Sequence, residues 1–82
     1  MKEKTVSVTT SLEASSFGLF VQTANKFSSR INITIDDKTV NAKSIMGIIS
    51  LGILSGNELT IIADGEDEEV AVHELAQFLK MD

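Results

Sequence analysis

Few residues in this chain can do chemistry. Cysteine is absent and histidine occurs once, at His73. The absence of cysteine excludes disulfides, thiolate nucleophiles and Cys-ligated metals, and a lone histidine makes no metal site. No nucleophile–base pair, metal cluster or phosphate loop can be assembled from the spacing, so no cofactor is expected and the chain does not read as an enzyme. What remains are hydroxyls and carboxylates at changes of periodicity, and Ser44 is the most informative. Lys38 to Ala42 alternates as a short strand with Val40 inward. From there Ile45, Ile48 and Ile49 fall at helical spacing, with Gly52 beyond them. Ser44 sits at the junction, where a serine oxygen accepts from an orphan N–H of the first turn. Phosphorylation there would add roughly −1.5 to −2 charge at the positive end of a helix. Access by an enzyme requires its hydroxyl to face solvent. Ile48 is the best core residue of that helix. Ile45, Met46 and Ile49 either join it in the core or form a patch that a partner covers.

These residues need elements to hold them. Val6 and Val8 alternate with polar neighbours over Thr5 to Thr10, which predicts a half-buried strand. Ser11 to Ser16 connects it to an amphipathic helix carried by Phe17, Phe20, Val21, Ala24 and Phe27, ending near Ser28-Ser29. Ile31, Ile33 and Ile35 alternate as a second strand, Asp36-Asp37 turns, and Lys38 to Ala42 returns. After the Ser44 helix, Ser55-Gly56-Asn57 turns into a strand over Glu58 to Ala63, with Leu59 and Ile61 inward. The acidic run Asp64-Gly65-Glu66-Asp67 then starts a helix whose macrodipole it suits. In that helix Ala71, Val72, Leu75, Ala76, Phe78 and Leu79 form one face, and His73 lies exposed on the other.

The order is β-α-β-β-α-β-α, an α+β chain. Four strands with one apolar face need cover, and three helices on that face supply it. An antiparallel sheet open to water on its other side is the natural arrangement. With 82 residues the chain fits one domain, residues 1–82. A net charge of −5 argues against direct nucleic-acid binding and permits a basic protein partner. No apolar run approaches the ~20 residues of a membrane helix. Met1-Lys2-Glu3-Lys4 leads straight into a strand pattern without a signal-peptide core, which fits a cytoplasmic protein.

The contiguous run Lys-Thr-Val-Asn-Ala-Lys-Ser-Ile-Met-Gly at 38–47, with Ser-Leu-Gly at 50–52, resembles the regulatory-serine segment of the HPr family. These are the small phosphocarrier proteins of the bacterial sugar phosphotransferase system. The resemblance is strongest to the Crh-like (catabolite repression HPr) branch and covers nearly the whole chain. It implies an open-faced β-sandwich. It also implies a phosphohistidine in a Gly-Leu-His-Ala-Arg-Pro-like motif before the first helix. Aligned back from Phe20, this chain has Ser11-Leu12-Glu13-Ala14-Ser15-Ser16. Glu13 takes the histidine position and Ser15 the arginine position, so nucleophile and charge clamp are both replaced. Glu13 reads either as a solvated acidic residue at a helix start or as a permanent negative charge in place of phosphohistidine.

The resemblance further implies that Ser44 is modified by HPr kinase/phosphorylase. The modified protein would act as a corepressor of a LacI-type transcription factor, catabolite control protein A, in carbon catabolite repression. Ile45, Met46, Ile49 and Gly18 would form the contact surface. Related regulators exchange the first strand, so a monomer or a strand-exchanged homodimer is expected. The alternative is a constitutive binding module docking through the Ser44–Leu51 helix without phosphorylation.

Overall fold

The computed structural model describes residues 1–8, 14–52 and 58–79, with the backbone alone for 14–16. The chain runs β1 (Lys2–Ser7), α1 (Ala14–Asn25), β2 (Arg30–Ile35), β3 (Lys38–Asn41), α2 (Ile45–Leu51), β4 (Glu58–Asp64) and α3 (Glu68–Leu79). The strands form one sheet in the order β1-β4-β2-β3 with every neighbouring pair antiparallel. Two crossovers interleave. α1 carries the chain from β1 over β4 to β2, and α2 carries it from β3 over β2 to β4. Both link parallel strands separated by one antiparallel neighbour.

Alternation decides the faces. Ile31, Ile33 and Ile35 of β2 and Leu59, Ile61 and Ala63 of β4 all point into the core, with Ile33 opposite Ile61 and Ile31 opposite Ala63. Val6 joins them from β1 opposite Leu59. The helices close this face with Phe20, Ala24, Ile48, Ala71, Val72, Leu75, Ala76 and Leu79. Phe20 meets Phe78 edge-on, ring centroids 5.6 Å apart, a favoured aromatic geometry. On the open face Thr5, Thr60, Thr34 and Thr39 fall in one row across all four strands. Their hydroxyls pair as Thr5–Thr60 and Thr34–Thr39, which suits a wet sheet surface.

The largest boundary differences from the sequence expectation fall on β1 and α1. The first strand starts at Lys2 instead of Thr5, because β4 is long enough to pair it from Ala63 back to Glu58. Backbone pairing here overrides a side-chain pattern that is polar on both faces. The first helix starts at Ala14, inside the expected connection, and ends at Asn25. Lys26 and Phe27 then close a tighter last turn onto the carbonyls of Thr23 and Ala24. The turn at 36–37 is a two-residue hairpin with Asp36 at φ 55°, a left-handed conformation that aspartate tolerates better than most residues. The expected turn at Ser55-Gly56-Asn57 lies outside the described residues. No described helix is long and apolar enough to cross a membrane.

Candidate functional site

The strand-to-helix switch at Ser44 is built from both sides. Ser44 has extended backbone angles, φ −105° and ψ 115°, and is the N-cap of α2. Its Oγ accepts from the Gly47 N–H at 3.2 Å, and its carbonyl accepts the first intrahelical bond from Ile48 at 3.1 Å. The helix ends on Gly52, which adopts φ 62° and donates its N–H to the Ile49 carbonyl. A side chain at Gly47 would press its Cβ within 3.2 Å of the Val40 Cβ. Glycine therefore lets the first turn of α2 lie directly on β3. This close approach also corrects one expectation. Ser44 is half-buried instead of openly exposed, because its hydroxyl turns back toward the helix it caps.

Only one apolar residue of α2 is lost to the core. Ile48 is fully buried, whereas Met46 is 70%, Ile49 48% and Ile45 40% exposed. Ile45, Met46 and Ile49 therefore form a surface patch beside Ser44, with Leu51 half-buried behind it. Gly18 lies exposed on α1 next to the exposed Leu19. It is two helical turns before Asn25 and so on the same side of α1. Asn25 reaches the Ser44 loop, so Gly18 belongs to the flank of α1 that looks toward α2. Glu13 lies outside the described residues, as does the side chain of Ser15. His73 is exposed on α3, on a different element from Ser44.

Sequence reasoning misses the residues that tie this site down. The Lys43 N–H donates to Asn41 Oδ1 at 2.8 Å, closing an Asx turn. Asn25 Nδ2 donates to the Val21 carbonyl at 2.9 Å and to the Lys43 carbonyl at 3.3 Å. Lys43 Nζ donates to the Phe27 carbonyl at 2.7 Å. The signal that could reveal part of this is Asn41 two residues before Lys43, at a strand end.

A second serine neighbourhood joins α1, β2 and α3. Ser29 is fully buried. Its N–H donates to Asp67 Oδ1 at 3.0 Å, its hydroxyl donates to the same oxygen, and the Ser28 N–H donates to Asp67 Oδ2 at 2.9 Å. The Ser29 hydroxyl first, then the Ser28 amide, hold the Asp67 carboxyl below the ordinary carboxylate range. Gly65 lies against this junction so closely that an added Cβ would stand 2.7 Å from the Ser29 Cα. The Gly65 N–H donates to Glu68 Oε1 at 3.1 Å, and that bond is the main reason the Glu68 carboxyl is also lowered.

Fold and site together define a small open-faced α+β sandwich that presents a capped serine beside an apolar surface patch, the architecture of the HPr fold. The model for the PTS HPr component phosphorylation site matches residues 1–81. The HPr-like protein Crh of Bacillus subtilis (strain 168) is 48% identical over 92% of this chain and 88% of its own length. The crystal structure of a phosphocarrier protein HPr from Bacillus anthracis str. Ames superposes with a TM-score of 0.92 at 47% identity, covering 96% of each chain. A Bacillus subtilis Crh crystal structure, described as a swapping-domain dimer, gives 0.78 at 49% identity over 90% of this chain and 85% of that one. The chain belongs to the HPr family, with Crh among its relatives, and the open-faced sandwich expected from the sequence is the fold it adopts.

Proposed function

We propose that this protein is a Crh-like regulator of carbon catabolite repression, switched by phosphorylation of Ser44. The observation that carries the reading is the pairing of a capped serine with three exposed apolar neighbours on one short helix. HPr kinase/phosphorylase would transfer the γ-phosphoryl group of ATP to Ser44 Oγ. The hydroxyl proton would leave to a base on that enzyme and ADP would depart. The new dianion would stand beside Ile45, Met46 and Ile49, with Gly18 on the flank, and together these would dock on catabolite control protein A. The phosphate would meet a basic patch, and the apolar residues would supply the buried area. Phosphocarrier transfer is not part of this reading, because Glu13 and Ser15 stand where the family has its histidine and arginine. No enzymatic activity of its own is proposed, and the protein would work in the cytoplasm.

The test is incubation with the kinase/phosphorylase and ATP, read by intact mass, followed by binding to the transcription factor. A gain of one phosphate that Ser44→Ala abolishes, with tighter binding after modification, supports the reading. Equal binding by untreated wild type and Ser44→Ala replaces it with a constitutive docking module, which the patch favours in so far as it is already exposed without modification. Incubation with phosphoenolpyruvate and enzyme I should leave the mass unchanged. The oligomeric state of this reading is a monomer or a strand-exchanged homodimer. Among the described residues β1 is an edge strand paired to β4 alone, so it can leave one sheet and enter another.

A further inference from the structure

Resting on the reading of Ser44 as the modified residue, we propose that Lys43 and Asn25 are positioning residues that set the Ser44 hydroxyl for transfer. They would act by buckling its loop to the end of α1, with no contribution from the Lys43 charge at the reacting oxygen. Lys43 is held at three points. Its N–H is bound by Asn41 Oδ1, its carbonyl by Asn25 Nδ2 and its ammonium by the Phe27 carbonyl. The carbonyl belongs to the peptide plane that leads into Ser44. Fixing that plane restricts the Ser44 backbone rotation and hence the direction of its side chain. The anchors are firm. Asn25 is the last residue of α1 and also bonds the Val21 carbonyl one turn back. Phe27 is buried in the core.

The helix itself cannot do this alone. α2 has seven residues, well short of the ~12–15 at which isolated helices become even marginally stable. Its first turn is therefore placed by what it packs on, Gly47 against Val40 and Ile48 in the core, together with the loop before it. The direction of the lysine is also informative. The ammonium, partly buried, is spent on a carbonyl just beyond the end of α1, where a cation suits the helix dipole. A lysine adjacent in sequence to the modified serine is thereby withdrawn from it. The phosphate, once formed, is left for a basic partner instead of being neutralised within the chain.

The experiment compares Lys43→Met, Lys43→Arg and Asn25→Ala with wild type, using steady-state phosphorylation by the kinase/phosphorylase and amide exchange of the folded proteins. Lys43→Met keeps the apolar stem and removes the donor. Asn25→Ala removes the other tie without changing charge. Positioning predicts that both lower kcat about tenfold with KM nearly unchanged, and that both speed exchange of the Gly47 N–H bonded to Ser44 Oγ. Lys43→Arg should recover most of the rate, because its donors can still reach the Phe27 carbonyl. A raised KM for Lys43→Met with wild-type kinetics for Asn25→Ala overturns the proposal and makes Lys43 a contact of the enzyme. Wild-type kinetics for both variants also overturn it. Should Lys43→Met not fold, Asn25→Ala decides by itself. Failure of wild type to be modified at all is a distinct result, which sinks the Ser44 reading.

Discussion

Ser29 and Ser44 are the same residue type in two opposite employments. Ser29 is fully buried, and its hydroxyl donates a hydrogen bond to a carboxylate. Ser44 is half-buried at a helix start, and its oxygen accepts a hydrogen bond from the Gly47 amide. A buried hydroxyl that donates to a carboxylate on another element is committed to the fold. Ser44, among the described residues, accepts one hydrogen bond and donates none, so under the proposed reading its proton stays available for transfer. The surroundings follow the same division. Asp67 and Gly65 press directly on Ser29, whereas Ser44 has Ile45 and Met46, both open to solvent, following it in the chain. In this chain one serine is a rivet, and the other, under the proposed reading, is the handle.

Stability should separate the two neighbourhoods. The largest effect is expected from Asp67→Ala, which leaves the Ser29 amide and hydroxyl and the Ser28 amide without their acceptor. The Tm should drop by on the order of 10 °C, and a drop of only a degree or two would show that Ser29 is no rivet. The same carboxylate makes a pH prediction. Its folded pKa lies below the ordinary value of 3.8. Its contribution is therefore fully present above that value and is lost as pH falls through the lower folded pKa. In Asp67→Asn the acid limb of the stability–pH curve should flatten below about pH 4, while the curve near neutrality keeps its slope. An unchanged acid limb would show that other carboxylates control it.

Next in size is Gly65→Ala. Its Cβ must push back the Ser29 backbone, and overpacking of this kind costs about 1–3 kcal/mol. Denaturant titration measures it, and a neutral result would show that the junction can open. On the other side of the comparison, Ser44→Ala removes one cap bond, worth about 1 kcal/mol, with complete loss of phosphorylation. Smallest on stability is Met46→Asp, an exposed substitution expected within about ±0.5 kcal/mol, yet it should abolish docking of the phosphorylated protein. Unfolding of that variant would place Met46 in the core and the docking surface elsewhere.

Much of the fold is legible in the sequence. Among the described residues periodicity locates β2, β3, β4 and the three helices, and of β1 only the Val6 end, since alternation at 2 and at 3.6 marks faces directly. Ile31, Ile33 and Ile35 are assigned inward from alternation alone. Ser44 is legible because a cap is a local event, decided by one side chain and the three residues after it. The strand beginning at Lys2 is not. Its side chains carry no apolar face there, and only pairing with β4 defines it.

What the sequence determined by itself is therefore whatever depends on near neighbours: the element types, the cap on α2, the acidic start of α3 and the apolar run around Met46. Tertiary structure alone decided the rest. It chose Ile48 for the core and left Met46, Ile49 and Ile45 in solvent, because α2 is too short to bury more than one line of its surface on β3 and α1. It turned Asp67 from a helix-start charge into the acceptor for Ser28 and Ser29, 39 and 38 residues away. It sent the Lys43 ammonium to a carbonyl 16 residues back. Each is a hydrogen bond or contact between segments that only the folded sheet brings together. A pattern of period 2 or 3.6 says which way a side chain faces and nothing about what stands opposite it.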